Sequence, residues 1–154
     1  MMSSDHVTWV VTTDSATCRI YQYSRKTAHL LLLKELTHPE NKLRDIDLTS
    51  DKPGHYKSSH NTHGAYSQQS DPKEIKIENF SREIATALDQ GRNIHAYENL
   101  IIIAASHMKG LLFQHINRHV KDLVTHSIEK DLIHLPHQEL LDFLRVHTQY
   151  SDES

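Results

Sequence analysis

Residues 99–106 read NLIIIAAS, a short continuous apolar run between polar flanks. An unbroken run of this kind predicts a central strand covered on both faces, because no side of it is left polar enough to meet water. Whatever else the chain does, it must supply layers above and below that strand. Parallel neighbours for it must arrive through crossover helices.

The flanks supply these parts. VTWVVTT at 7–13 and CRIYQYS at 18–24 are rich in β-branched and aromatic residues, and the polar DSAT between them predicts a hairpin. LLLLKEL at 30–36 extends it to a three-stranded antiparallel meander, and LRDIDL at 43–48, alternating apolar and charged, reads as a short edge strand. Asp71 as N-cap, Pro72 at the first helical position and Glu74 closing a capping box predict a helix start. Ile77, Phe80, Ile84 and Leu88 then share one face, and Gly91 supplies the stop of a helix over 72–90. Ser106 is read as the cap of a helix over 107–120 that turns Leu111, Leu112, Ile116 and Val120 inward, and DLVTHSI at 122–128 as a strand. Pro136 opens a last helix to 147 that buries Leu140, Leu141 and Leu144. The resulting order, β-β-β-α-β-α-β-α, predicts an α/β fold with a mixed sheet and helices packed on it, a ribonuclease H-like arrangement.

With 154 residues the chain is the size of one domain, expected over 5–148 with a long polar loop at about 49–71 and a disordered tail at 149–154. No basic leader precedes an apolar run, and no stretch approaches the ~18 apolar residues that cross a bilayer, so the expectation is a cytoplasmic protein without membrane insertion. Cys18 is the only cysteine, which excludes an intrachain disulfide and cysteine-based zinc or redox motifs, and it reads as a half-buried strand residue. A net charge of −3 excludes a global basic field for nucleic acid while leaving local patches open. The 14 histidines make charge steeply dependent on pH near ~6.5.

Tests for chemistry mostly exclude it. A nuclease on this architecture needs clustered carboxylates to hold metal ions. Asp14 follows the first strand and Glu83 lies on the first helix, but the fourth strand ends Ala104, Ala105, Ser106, His107 with no acid, and Asp14 reads better as a turn residue. No G-x-S-x-G elbow is present, and Gly54, Gly64, Gly91 and Gly110 are all isolated, so no glycine loop cradles phosphate. His55, His60 and His63 share one loop, and His115 and His119 are spaced to lie on one helix face, but without a His-Glu-x-x-His pattern or a cysteine partner the reading is a solvated histidine-rich surface. No metal or cofactor is expected. At 129–140, EKDLIHLPHQEL gathers Lys130, Asp131, His134 and His137 at the entry to the last helix, where either Asp131 or His134 satisfies free backbone groups or these charged and histidine side chains face a partner.

Several segments carry a likeness: VTWVVTTDSATCRIYQYS at 7–24, DKPG at 51–54, SDPKE at 70–74 leading into NFSREIATAL at 79–88, LIIIAASHMKGLL at 100–112 and EKDLIHLP at 129–136. Together they resemble the bacterial family of host attachment proteins, also described as relatives of the middle domain of the archaeal-eukaryotic peptide release factors. The resemblance implies a ribonuclease H-like domain. In the release factors that domain carries a Gly-Gly-Gln loop that helps water cleave the peptidyl-tRNA ester. This chain departs from it, offering His63-Gly64-Ala65-Tyr66 and nearby Gln68 and Gln69, and one glycine does not reproduce two adjacent flexible positions.

The resemblance therefore implies a non-catalytic cytosolic binding module that contacts the ribosome or structured RNA through the 51–72 loop. His55, Lys57, His60 and His63 would meet phosphates and Tyr66 would stack on a base, with Gly64, Gln68 and Gln69 beside them. A mobile loop with no fixed partner stays open as the other reading. The alternative function is a protein-interaction factor that supports attachment to host cells through a protein partner. Peptidyl-tRNA ester hydrolysis by Gln68 or Gln69 is the least favoured, and an exposed sheet edge leaves homodimerisation open.

Overall fold

The computed structural model describes residues 6–41 and 71–149. The elements are β1 (Thr8–Thr13), β2 (Thr17–Ser24), β3 (His29–Thr37), α1 (Pro72–Asn93), β4 (Asn99–Ala104), α2 (Ser106–His115), α3 (Arg118–Lys121), β5 (Val124–Ile128) and α4 (His137–His147). The five strands form one mixed sheet in the order β3-β2-β1-β4-β5. β1 pairs antiparallel with β2, and β2 with β3, while β4 runs parallel to both β1 and β5. The α/β reading thus holds as a five-stranded mixed sheet with helices on it. The edge strand expected at 43–48, the polar loop and the tail from Tyr150 onward lie outside the described residues.

β4 explains the layering. Leu100 to Ala104 are all buried, and they alternate between two cores. Leu100, Ile102 and Ala104 join Val11, Ile20, Phe80, Ile84, Leu88 and Leu112, so α1, α2 and α3 cover that face. Ile101 and Ile103 join Val10, Tyr21, Leu30, Leu140 and Leu144, which puts α4 on the other.

The hairpin turn is fixed by Asp14, whose Oδ1 accepts from the backbone N–H of Ala16 at 2.9 Å and of Thr17 at 2.7 Å. This is the turn role expected of it. Asp71 caps α1 as expected, accepting from Lys73 N–H at 3.0 Å.

Several boundaries of the helices and of β5 differ from expectation. Gly91 does not end α1, because it is a buried contact point: a Cβ there would lie 2.5 Å from Trp9 Cη2, and Trp9 stacks on Tyr97 with ring centroids 4.6 Å apart. The helix runs on and closes with His95 in the left-handed region at φ 57°, His95 N–H donating to Arg92 O at 2.9 Å and Ala96 N–H to Gly91 O at 2.8 Å. That is a Schellman closure with histidine where glycine is usual.

The helix expected over 107–120 is two helices. Ser106 is its first helical residue rather than its cap, and Ala105 in the cap position makes no side-chain bond. The break falls at Ile116, buried in extended conformation, after which Asn117 starts α3 by accepting from Val120 N–H at 2.9 Å. β5 starts at Val124 because Leu123 still closes the preceding turn onto Val120 O. Pro136 is the cap of α4 rather than its first residue.

Two substitutions test the end of α1. Gly91→Ala is expected to destabilise the fold by about 1–3 kcal/mol through overpacking against Trp9. His95→Gly is expected to stabilise it by roughly 1 kcal/mol by removing the left-handed penalty. At about 2–4 °C per kcal/mol for a chain of this size, thermal unfolding resolves both. Equal melting temperatures for the three proteins would overturn the assignment.

Candidate functional site

β1, β4 and β5 run parallel, so Thr13, Ala104 and Ile128 finish at the same end of the sheet, where β2 begins and β3 finishes. In open α/β sheets, ligands bind outside the carboxyl ends of the strands where the connections diverge. Here the divergence lies between β1, which leads to β2, and β4, which leads to β5.

Both described ends of the 42–70 segment sit at that place. On one side Asn41 is buried and its Nδ2 donates to Ser15 O at 2.9 Å, while His38 N–H donates to Ala16 O at 2.7 Å. On the other, Asp71 starts α1, and Glu74 reaches His107 Nε2 at 3.0 Å, at the start of α2 just past β4. Glu74 was expected to close a capping box, and its carboxylate is instead spent on α2. His55, Lys57, His60, His63, Gly64, Tyr66, Gln68 and Gln69 lie outside the described residues.

The 129–136 connection leaves from the same end. Lys109 Nζ lies 3.9 Å from Glu129 Oε1, which ties its beginning to α2. Lys130, Asp131 and His134 are all exposed. Asp131 Oδ1 accepts from Ile133 N–H at 3.4 Å, before the helix, and α4 has no side-chain cap, so the expected capping of α4 by Asp131 or His134 is not what the structure has. Arg19 Nη1 anchors the segment by donating to Ile133 O at 2.8 Å.

The other chemistry-bearing residues are brought into structural contacts. Glu83 faces His38 Nε2 at 3.0 Å while Glu40 faces His38 Nδ1 at 3.2 Å, with the imidazole edge-on to Phe80. Burial pulls the His38 imidazole down, and the Glu83 and Glu40 carboxylates outweigh it, leaving the pKa above the ordinary range. His115 and His119 do not share a helix face, because the break at Ile116 separates them. His115 Nε2 lies 3.2 Å from Glu78 Oε2, too misaligned for a hydrogen bond. Glu74, Glu78 and Glu83 of α1 thus each meet a histidine from another element, a pattern that residue spacing alone did not reveal.

Cys18 is fully buried rather than half-buried, and burial pushes its thiol up to about 12 despite the opposing Thr13 hydrogen bond. It is no nucleophile at neutral pH. Among the described residues, no three or more histidines, cysteines and carboxylates are grouped to hold a metal ion. Ser106 and His107 are consecutive helix residues and do not face one another. At this end Asp14 is engaged in its turn, and Glu74 and Glu83 meet histidines.

A family model described as "Protein required for attachment to host cells" matches residues 9–144, from β1 through most of α4. The chain belongs to that family. Among curated proteins, none matches it. The family match covers all five strands but for Thr8, and all the helices but for the last residues of α4.

The His38 contacts predict a pH dependence. A raised folded pKa gives stability that is fully present below the unfolded value of about 6.5 and lost as pH rises through the folded value. The stability advantage of the native protein over His38→Gln, read from urea midpoints, should be larger at pH 6 than at pH 8. An advantage independent of pH would remove the ion-pair account.

Proposed function

We propose that this host-attachment family member is a non-catalytic binding module, acting in the cytosol, that contacts ribosomal or other structured RNA through the 51–72 loop. The observation that carries the reading is the rooting of Asn41 and Asp71 at the carboxyl end of the sheet, where the connections of β1 and β4 diverge. The loop's composition supports it too. Lys57 and three imidazoles suit phosphate oxygens, and Tyr66 suits a base, with stacking worth about 1–3 kcal/mol. Exposed Lys130 and His134 extend the same end.

A ribonuclease H-like reading of the sheet, and with it a relationship to the release-factor middle domain, is part of this proposal. It rests on the strand order β3-β2-β1-β4-β5. Ester hydrolysis does not follow from it, since Gly64 stands alone where the release factors have a glycine pair.

A second reading, a protein-interaction factor that supports attachment, draws on the family description and on edge strand β3. There Leu31, Leu32 and Leu33 are 48%, 45% and 41% exposed in sequence. Such an edge suits strand pairing with a protein partner or a second copy.

Co-sedimentation of the purified protein with ribosomes across a salt series, against a 55–70 deletion, tests the first reading. Loop-dependent binding that weakens as salt rises is the expected result. Absence of binding at low salt, or binding unchanged by the deletion, overturns it and moves the search to protein partners.

A further inference from the structure

The opposite end of the sheet, where β1 and β4 begin and β2 finishes, opens into a cavity of about 1220 Å³. Its walls come from four places: the starts of β1 and β4, the β2–β3 turn and the last turns of α4. The turn is tight, with Ala28 in the left-handed region at φ 53°, and it carries Arg25 and Lys26. The end of α4 contributes Arg145 and Val146, and Thr148 closes the helix by donating its hydroxyl to Leu144 O.

The lining is cationic in a chain of net charge −3. Arg25, Lys26 and Arg145 line the cavity, His6 beside them is held by Glu98 Oε1 at 2.7 Å, and among the described lining residues Asp142 is the only carboxylate. His126, paired with Ile101 in the sheet, is held below its ordinary range by burial and then by the positive charge of Arg25, so the field of that arginine reaches across to β5. An apolar element accompanies the charge. Val146 is 65% exposed at the cavity, and Val7 and Ile101 line it too.

We propose that this cavity binds a phosphorylated small molecule of nucleotide class, its phosphates against Arg25, Lys26 and Arg145 and its ring against Val146. Size and charge select the class. The volume exceeds the roughly 300–1,000 Å³ of ordinary small-molecule pockets, leaving room for a base, a sugar and more than one phosphate. Arginine forks suit phosphate oxygens in pairs, and two arginines with a lysine around one concavity suit a compact multiple anion better than a single carboxylate. Thr8 and Asn99 add neutral hydrogen-bonding groups for a sugar or base edge. The site is separate from the loop-bearing end, so it stands whether or not the RNA reading does.

Calorimetric titration of the full chain with ATP, GTP and inorganic pyrophosphate tests it. The expected result is saturable binding of at least one nucleotide, tighter than pyrophosphate, and weakened about tenfold or more by Arg25→Gln with Arg145→Gln. Val146→Ser, at an exposed position, should weaken the nucleotide more than pyrophosphate, and it provides the test if the arginine pair proves unfolded by its melting curve. The 55–70 deletion should bind as the intact chain does. Lack of nucleotide binding overturns the proposal. So does binding indifferent to the arginine pair or, where that pair is unfolded, to Val146→Ser; pyrophosphate binding as tight as the nucleotides; or loss of nucleotide binding on deleting 55–70.

Discussion

Burial of β4 on both faces is the constraint from which the rest of the molecule follows. Each fully buried leucine or isoleucine is worth about 1.5–3 kcal/mol over leaving it in water, and Leu100 to Ile103 supply four in sequence. Their alternation sends two side chains to each core, so helices are required above and below. The parallel pairing of β4 with β1 and β5 requires crossovers, which α1 and then α2 with α3 provide. Parallel strands align their carboxyl ends, and that alignment collects the described ends of the 42–70 segment and the 129–136 connection at one place.

α1 transmits this order through two different kinds of contact. Near its end the packing is apolar and tight, with Trp9 against Gly91, stacked on Tyr97, and Tyr97 Oη donating to Leu88 O at 2.7 Å. Toward its start the contacts are polar, glutamates meeting histidines of α2 and of the segment after β3. Exposed pairs of this kind contribute little individually, typically below about 1 kcal/mol. The helix start is thus seated through charged and imidazole groups, and its end through apolar packing. The helix start also borders the 42–70 segment.

Several acidic side chains and the one thiol are engaged in the fold itself. Asp14 is engaged in its turn, Glu83 with His38, Glu74 with His107, and Cys18 is sealed in the core. The two ends of the sheet differ in character. One carries the described ends of the 42–70 segment, the other a cationic cavity assembled from a turn and a helix end.

The sequence by itself determined the element types, the five strands and the alternation that divides β4 between two cores, because these depend on residues two to four apart. It also located the turn role of Asp14 and the cap at Asp71, which are local hydrogen bonds. It misplaced the end of α1, since Gly91 is required by Trp9, far away in the chain, and His95 takes the left-handed position that glycine would ordinarily hold. It joined α2 to α3, because burying Ile116 breaks the helix only once the core is assembled. The glutamate–histidine partners and the cationic cavity were illegible for the same reason. Pairs such as His38 with Glu83 and linings such as Arg25 with Arg145 join residues remote in sequence, and only the packing of helices on the sheet brings them together.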